Sequence, residues 1–389
     1  NNSRREERKR IMKCSVEKKI LMKNLSHADT IASSKSTIPV LSNILLDIQN
    51  GEMSILSSNL ETGIKITDSV SVEEEGALAV NGRKLLSIIR ELPDDDVVIT
   101  SDDNNRLTVR STSPQINAQF TIAGVSKDEY PEVRAEPEEE YLRVDADQFK
   151  AMIRKVIFSI SSDENKYSLT GIFLEKGDET VNMVATDGKR LALVMKVGEK
   201  LGVSMDSFEI PYDGVIVPRI VFAELLKYSF EDNALLMGFS KNQVFFKYDN
   251  IHLASNLIEG KYPEYKKIIP SERDIFLVSE KAPLVQAIRR VSVLVDESYN
   301  QIKLSIARDK LTLSSQNPTL GGAVEEIPIQ YEGEDLDIAL NYIYLLDCLK
   351  EIDDDRIKID FENSERVITV KGAEEEGYVN LIMPMKLNV

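Results

Sequence analysis

The chain has 389 residues, enough for two or three separate cores, and carries 48 Lys and Arg against 65 Asp and Glu, a net charge of −17. Taken as an average, that balance describes a soluble protein that avoids nucleic acid, and two cysteines, Cys14 and Cys348, cannot make a disulfide framework, which points to a reducing cytoplasm. No apolar run approaches the ~20 residues of a membrane span, and no signal-peptide pattern is present.

Residues 1–11 contain Arg4, Arg5, Arg8, Lys9 and Arg10 without any periodic pattern, and are expected to be a disordered extension or a remnant of expression, with Met12 as the natural start. From there the chain says nearly the same thing three times. A strand-then-helix opening recurs as Lys13-Cys14-Ser15-Val16 into residues 17–32, as Tyr141-Leu142-Arg143-Val144 into 148–161, and as Ile275-Phe276-Leu277-Val278 into 283–295. A second unit answers each opening: Ala77-Leu78-Ala79-Val80 into 83–91, Gly214-Val215-Ile216-Val217 into 219–229, and Leu336-Asp337-Ile338-Ala339 into 341–350. Each second helix stops at an acidic or polar turn. The opening helices are amphipathic, with Leu21, Leu25, Ala28 and Ile31 on one face of the first. Val-, Ile- and Phe-rich segments joined by turns such as Asn50-Gly51, Lys176-Gly177-Asp178 and Asp309-Lys310 are strands of antiparallel sheet. Pro- and Glu-rich linkers divide the chain into domains over 12–135, 141–270 and 274–389, and a period of about 130 residues fits three copies of one domain rather than a solenoid. The fold class is α+β: three repeated domains, each an antiparallel sheet with two helices on one side.

The acidic average hides a segregation. The six predicted helices hold fourteen Lys and Arg against five acids, and those over 148–161 and 283–295 hold no acid at all. Lysines on a wet helix face are common, but a set of basic helices inside an acidic exterior also describes a face built to meet phosphate, with repulsion elsewhere against wrong docking. From helix charge alone, Lys150, Arg154, Lys155, Arg289 and Arg290 are candidate phosphate contacts. No base-reading motif accompanies them, so such contacts would carry no sequence information.

Catalytic constellations are sparse. His27, placed on the polar side of its helix, and His252, inside a strand pattern, are the chain's two imidazoles, and no phosphate-binding glycine loop occurs. Asp187-Gly188 reads as a hairpin turn between two strands. The clusters Asp94-Asp95-Asp96 and Asp353-Asp354-Asp355 recur after second helices and read as solvated turns rather than cation sites. No catalytic residue, metal site or cofactor is expected.

Four stretches together resemble the bacterial DNA polymerase III beta subunit, the sliding clamp. They are Met12-Lys13-Cys14-Ser15-Val16, the run Ser36-Thr37-Ile38-Pro39-Val40-Leu41-Ser42-Asn43-Ile44-Leu45-Leu46, the run Ala185-Thr186-Asp187-Gly188-Lys189-Arg190-Leu191-Ala192, and Met383-Pro384-Met385-Lys386-Leu387. The resemblance implies a head-to-tail homodimer closed into a ring, with two helices per domain lining a hole for duplex DNA. It implies no catalysis, and partners in replicative and repair DNA polymerases and an ATP-driven clamp loader. Family DNA-contacting positions fall on Lys35, Arg83, Lys166, Tyr167 and Arg219, with Lys35 where arginine is common. A family cleft for client peptides falls on Leu169, Thr186, Gly188, Lys189, Arg190, Leu191, Pro263, Ile268, Met383, Pro384, Met385 and Leu387; flexible methionines suit a surface that accepts many partners. Val293 and Leu294 fall at the family's dimer contact. The matching edge near residues 116–122 carries Asn117 and Gln119 where apolar residues are common, which predicts a weaker dimer. Lys386 replaces a usual arginine, and Asn388-Val389 extends past the usual end. The competing readings are a metal-dependent hydrolase or transferase using an Asp cluster, and a monomeric client-binding scaffold.

Overall fold

A computed structural model describes residues 11–32, 38–133, 140–230, 232–271 and 273–386. Lys35, Leu387, Asn388, Val389 and residues 1–10 lie outside the described residues. The chain divides into two compact units, Asn1–Ala146 with Ile220–Leu257, and Asp147–Arg219 with Ile258–Val389. The division passes through the middle repeat.

Six α-helices occur among the described residues: α1 Lys18–Ile31, α2 Gly82–Glu91, α3 Ala146–Ile157, α4 Arg219–Lys227, α5 Lys281–Val291 and α6 Tyr342–Glu351. They are the helices the repeat pattern predicts, with shifted ends. α3 starts two residues early and takes in Asp147, so α5 alone is free of acid. A carboxylate in a first turn faces the positive end of the helix dipole, which favours starting there. α5 ends at Val291, and Ser292–Leu294 continues as a 3₁₀ turn. Asn81 and Asn341 occupy matching places before α2 and α6 and cap them, accepting hydrogen bonds from the Lys84 amide at 2.9 Å and the Ile343 amide at 2.9 Å.

In the first unit, one antiparallel sheet of thirteen strands holds both halves of the first repeat together with four strands of the second. The join is between Ile251–Asn256 and Thr62–Ser69, in register from Ile251 opposite Ile66 to Ser255 opposite Thr62. Leu21, Leu25 and Ala28 of α1 and Leu85, Leu86 and Ile89 of α2 pack with Cys14, Val16, Ile44, Ile55, Ile99 and Val109 into a buried core. Each buried Leu, Ile or Val side chain among them contributes roughly 1.5–3 kcal/mol of burial.

The second unit carries an eight-stranded and a four-stranded sheet. In the larger, Arg190–Val197 of the second repeat pairs with Tyr378–Ile382 of the third, from Arg190 opposite Ile382 to Val194 opposite Tyr378. Sheets therefore run on from repeat to repeat. Backbone hydrogen bonds, not side chains alone, hold successive repeats together within each unit.

Candidate nucleic-acid interface and apolar cleft

The basic helix residues do not all present charge to solvent. In the first unit, Arg83, Lys84, Arg90, Lys19, Lys23 and Lys227 are exposed. The Arg83 Nε stands 3.8 Å from an Asp29 carboxylate oxygen, and Lys227 donates to the Thr30 hydroxyl at 2.7 Å. Lys18 is buried: its ammonium donates to the Leu92 carbonyl and lies 3.0 Å from Asp94, whose carboxyl it holds below its ordinary range. Thus Asp94 serves as a clasp for α1.

His27 departs from the polar-face placement. It is buried, its Nδ1 hydrogen-bonded to Glu224 on α4, and its ring lies 5.3 Å from that of Tyr228. Glu224 is fully buried, so the helix face that a single repeat would leave wet is covered here by the next one.

In the second unit, Arg154, Lys166, Tyr167, Arg219, Arg289 and Arg290 are exposed and Lys150 is half-buried. Burial first, and the Arg154 guanidinium second, pull the Lys150 ammonium below its ordinary value. Lys155 corrects the expectation from helix charge. It is 9% exposed, its ammonium is 2.8 Å from Asp353 and paired with Glu375, and it sits 4.6 Å over the Tyr378 ring. An ammonium so neutralised has no charge to offer phosphate. Arg290 is exposed but forms a bidentate pair with Glu325 of its own repeat, its Nε at 2.9 Å.

The run around Asp187 forms a hairpin corner between Thr180–Thr186 and Arg190–Val197, with Gly188 at a left-handed φ of +90°. Asp187 Oδ1 accepts the Lys189 and Arg190 amides at 2.8 and 3.0 Å, an Asx turn that fixes the corner. Arg190 then reaches inward. It contacts Asp187 at 3.2 Å and Asp347 of α6 at 2.6 Å, donates to the Phe158 carbonyl, and stacks 4.4 Å from the Tyr344 ring.

Beside this corner lies an apolar cluster of Leu169, Val184, Leu191, Leu193, Ile216, Ile258, Tyr262, Tyr265 and Leu381, with Phe173 stacked on Tyr262 at 4.8 Å. Pro263, Ile268 and Met383 are exposed at its edge, and Pro384 and Met385 are half-buried. The Met383 amide donates to the Lys189 carbonyl at 2.9 Å, tying the last strand to the hairpin. An open groove of about 520 Å³ runs on along Ile268, Ile269, Phe361, Arg366 and Val367. Of the residues expected here, Leu169, Thr186, Gly188, Lys189, Arg190, Leu191 and Met383 do lie on or beside one another, whereas the Met385 amide donates to the Ala339 carbonyl at 2.8 Å in the four-stranded sheet. Sequence reasoning missed Phe173, Tyr262, Tyr265, Val367 and Leu381, and the Tyr344 and Asp347 pair one turn apart on α6, a spacing that would have marked a shared face.

Val293 is 76% exposed on the 3₁₀ turn after α5. Gly321–Pro328 is an edge strand, and Gln119–Val125 pairs on one side over Gln119–Ala123 and on the other only where Gly124 and Val125 meet Val80 and Ala79. Two open edges are thus available, and Phe120 and Ile122 pack inward against the first-unit core.

Sequence models of the DNA polymerase III beta subunit match in succession: the N-terminal domain over residues 12–134, the central domain over 143–264 and the C-terminal domain over 266–386. The beta sliding clamp of Treponema pallidum is 28% identical over 379 residues, covering 96% of this chain and all of its own. Among solved structures, the C. crescentus beta sliding clamp superposes with a TM-score of 0.89 at 28% identity, over 97% of this chain and 100% of that one. The Bacillus subtilis clamp gives 0.87 at 28%, over 97% and 99%. The fold is that of a DNA clamp, three copies of one α+β domain in a single chain. The chain belongs to the DNA polymerase III beta subunit family.

Proposed function

We propose that two copies of the chain close head to tail into a ring around duplex DNA and tether replicative and repair polymerases to it, without catalysis of their own. The observation that carries this is a set of cations, exposed Arg83, Arg154, Arg219 and Arg289 and half-buried Lys150 on helices of all three repeats and exposed Lys166 on a loop, in a chain of net charge −17. Such a set meets phosphate loosely and without sequence preference, which suits sliding. Tyr167, 52% exposed beside Lys166, adds an aromatic face, and Lys35 keeps the DNA-side role the resemblance gives it. The apolar cluster beside the Asp187 corner receives client peptides, and Leu387 keeps the peptide-side role that the resemblance gives it.

Ring closure uses the open edges Gly321–Pro328 and Gln119–Val125, with Val293 and Leu294 supplying apolar contact. Pairing them satisfies backbone groups that otherwise invite uncontrolled association. An ATP-driven loader mounts the ring, and the protein works in the cytoplasm; no helix among the described residues is long and apolar enough to cross a membrane. Nothing favours the metal-enzyme or monomeric-scaffold readings: Asp94 and Asp353 are engaged as clasps for lysines. Two measurements test the proposal. Analytical ultracentrifugation gives the dimer, predicted to dissociate more readily than its relatives because Asn117 and Gln119 flank the edge, and a ring surviving at nanomolar protein contradicts that weakness. Primer extension by a clamp-dependent polymerase gives longer products per binding event when the protein is loaded, and unchanged product length contradicts the tether.

A further inference from the structure

We infer that Lys166 is a positioning residue that couples DNA on one side of its segment to peptide occupancy on the other, so that duplex DNA weakens client binding and client binding weakens the hold on DNA. This rests on the proposed DNA and peptide sites. The Lys166 ammonium donates to the Asp187 main-chain carbonyl at 2.9 Å, at the corner whose next residues are Gly188, Lys189 and Arg190. The corner's internal bonds all run to the Asp187 and Thr186 side chains; the lysine ties it from outside to a neighbouring segment. That segment is short. The Leu169 amide donates to the Lys166 carbonyl at 2.7 Å, and Leu169, 8% exposed, is part of the apolar cluster.

One exposed cation thus serves both walls of the cleft, by its side chain and by its backbone. A phosphate oxygen accepts a charge-assisted hydrogen bond that is stronger than one to a neutral carbonyl. DNA that engages Lys166 therefore draws the ammonium from Asp187, and the hairpin loses one of its outer tethers, keeping those of Met383 on the Lys189 carbonyl and of Arg190 on Asp347. A client must then order a looser corner on binding. Because the linkage is reciprocal, the peptide lowers DNA affinity by the same factor. The consequence is a clamp that releases clients more readily once it is on DNA, which favours exchange among them.

The test uses the full-length protein, a short duplex oligonucleotide at saturating concentration, and a fluorescein-labelled hexapeptide ending in Leu-Leu-Phe, apolar side chains suited to the cluster. For the unmodified protein, duplex should weaken peptide binding about threefold, the size of one exposed hydrogen bond. Lys166→Ala should start about threefold weaker and show no further change with duplex. Arg219→Ala, which weakens DNA binding elsewhere, should keep the threefold effect once duplex is saturating. Amide exchange at Gly188 and Lys189 should quicken with duplex in the unmodified protein and be quick from the start in Lys166→Ala. Equal peptide affinity with and without duplex, or the same duplex effect in Lys166→Ala, overturns the coupling. If the peptide fails to bind at all the cleft reading falls, and if the duplex fails to bind the DNA reading falls; either takes the coupling with it.

Discussion

His27 on α1 and Glu224 on α4 share a buried hydrogen bond that fastens the first repeat to the second. The position recurs: in Leu25-Ser26-His27-Ala28, Ile153-Arg154-Lys155-Val156 and Ile288-Arg289-Arg290-Val291 a basic side chain stands third, between buried apolar residues. His27 finds its acid in the second repeat, and Lys155 finds Asp353 and Glu375 in the third. Arg290, in the last repeat of the chain, turns to Glu325 in its own. One helix position therefore acts as a fastener wherever the chain supplies a following repeat.

Removing one side of the His27 fastener leaves a buried polar group without its partner. His27→Leu is expected to lower stability by about 3 kcal/mol, and His27→Leu with Glu224→Leu to recover most of that loss, because an apolar pair avoids the desolvation cost. Guanidinium unfolding followed by circular dichroism checks this, and an additive double mutant would count against it.

The neighbouring residues Arg154 and Lys155 should separate cleanly. Arg154→Ala weakens DNA binding and reduces the slope of log affinity against log salt by about 1. Lys155→Ala leaves that slope unchanged and instead lowers the unfolding midpoint, since its ammonium is already neutralised. DNA titrations at several salt concentrations, beside thermal melts, distinguish the two.

Arg190→Lys is not a conservative change at a site that uses the guanidinium plane. A lysine keeps one contact with Asp187 or Asp347 but loses the fork between them and the stacking on Tyr344. The expected result is a loss of about tenfold in peptide affinity, roughly 1.4 kcal/mol, with DNA binding unaltered. Fluorescence anisotropy with the labelled peptide measures it.

Alkaline pH should destabilise the fold through its buried thiols. Burial pushes Cys14 and Cys348 up from 9.0 to about 12, and Tyr130 up from 10.0 to about 12. Above pH 9 the unfolded chain loses thiol protons that the folded chain keeps, so the unfolded state binds fewer protons and stability falls with pH. Each thiol contributes about 1.4 kcal/mol per pH unit between 9 and 12. Denaturant midpoints on either side of pH 9 should show the fall, and Cys14→Ala with Cys348→Ala should lessen it.

Much of this architecture was legible before any coordinates. The helices declare themselves through residues such as Leu21, Leu25 and Ala28, and Asp187-Gly188 through its turn chemistry, because both are set by neighbours in sequence. The apolar cluster beside the hairpin was partly legible through the Thr186–Leu191 stretch and Met383, which resemblance rather than spacing singled out. What escaped was set by distant partners. His27 reads as a wet-face residue because the acid that buries it lies 197 positions away, and Lys155 reads as a free cation because its acids lie in the next repeat. The continuation of sheets from one repeat to the next was equally invisible, since the strands at the joins carry ordinary strand patterns.

The central claim is that the protein holds DNA by encircling it. The most direct measurement is retention on nicked circular plasmid after incubation with a clamp loader and ATP, followed by linearisation with a restriction enzyme at moderate salt. The account predicts that the protein stays on the circle and runs off once ends exist. Failure to remain on the circle, or equal retention on circle and linear DNA, would contradict it.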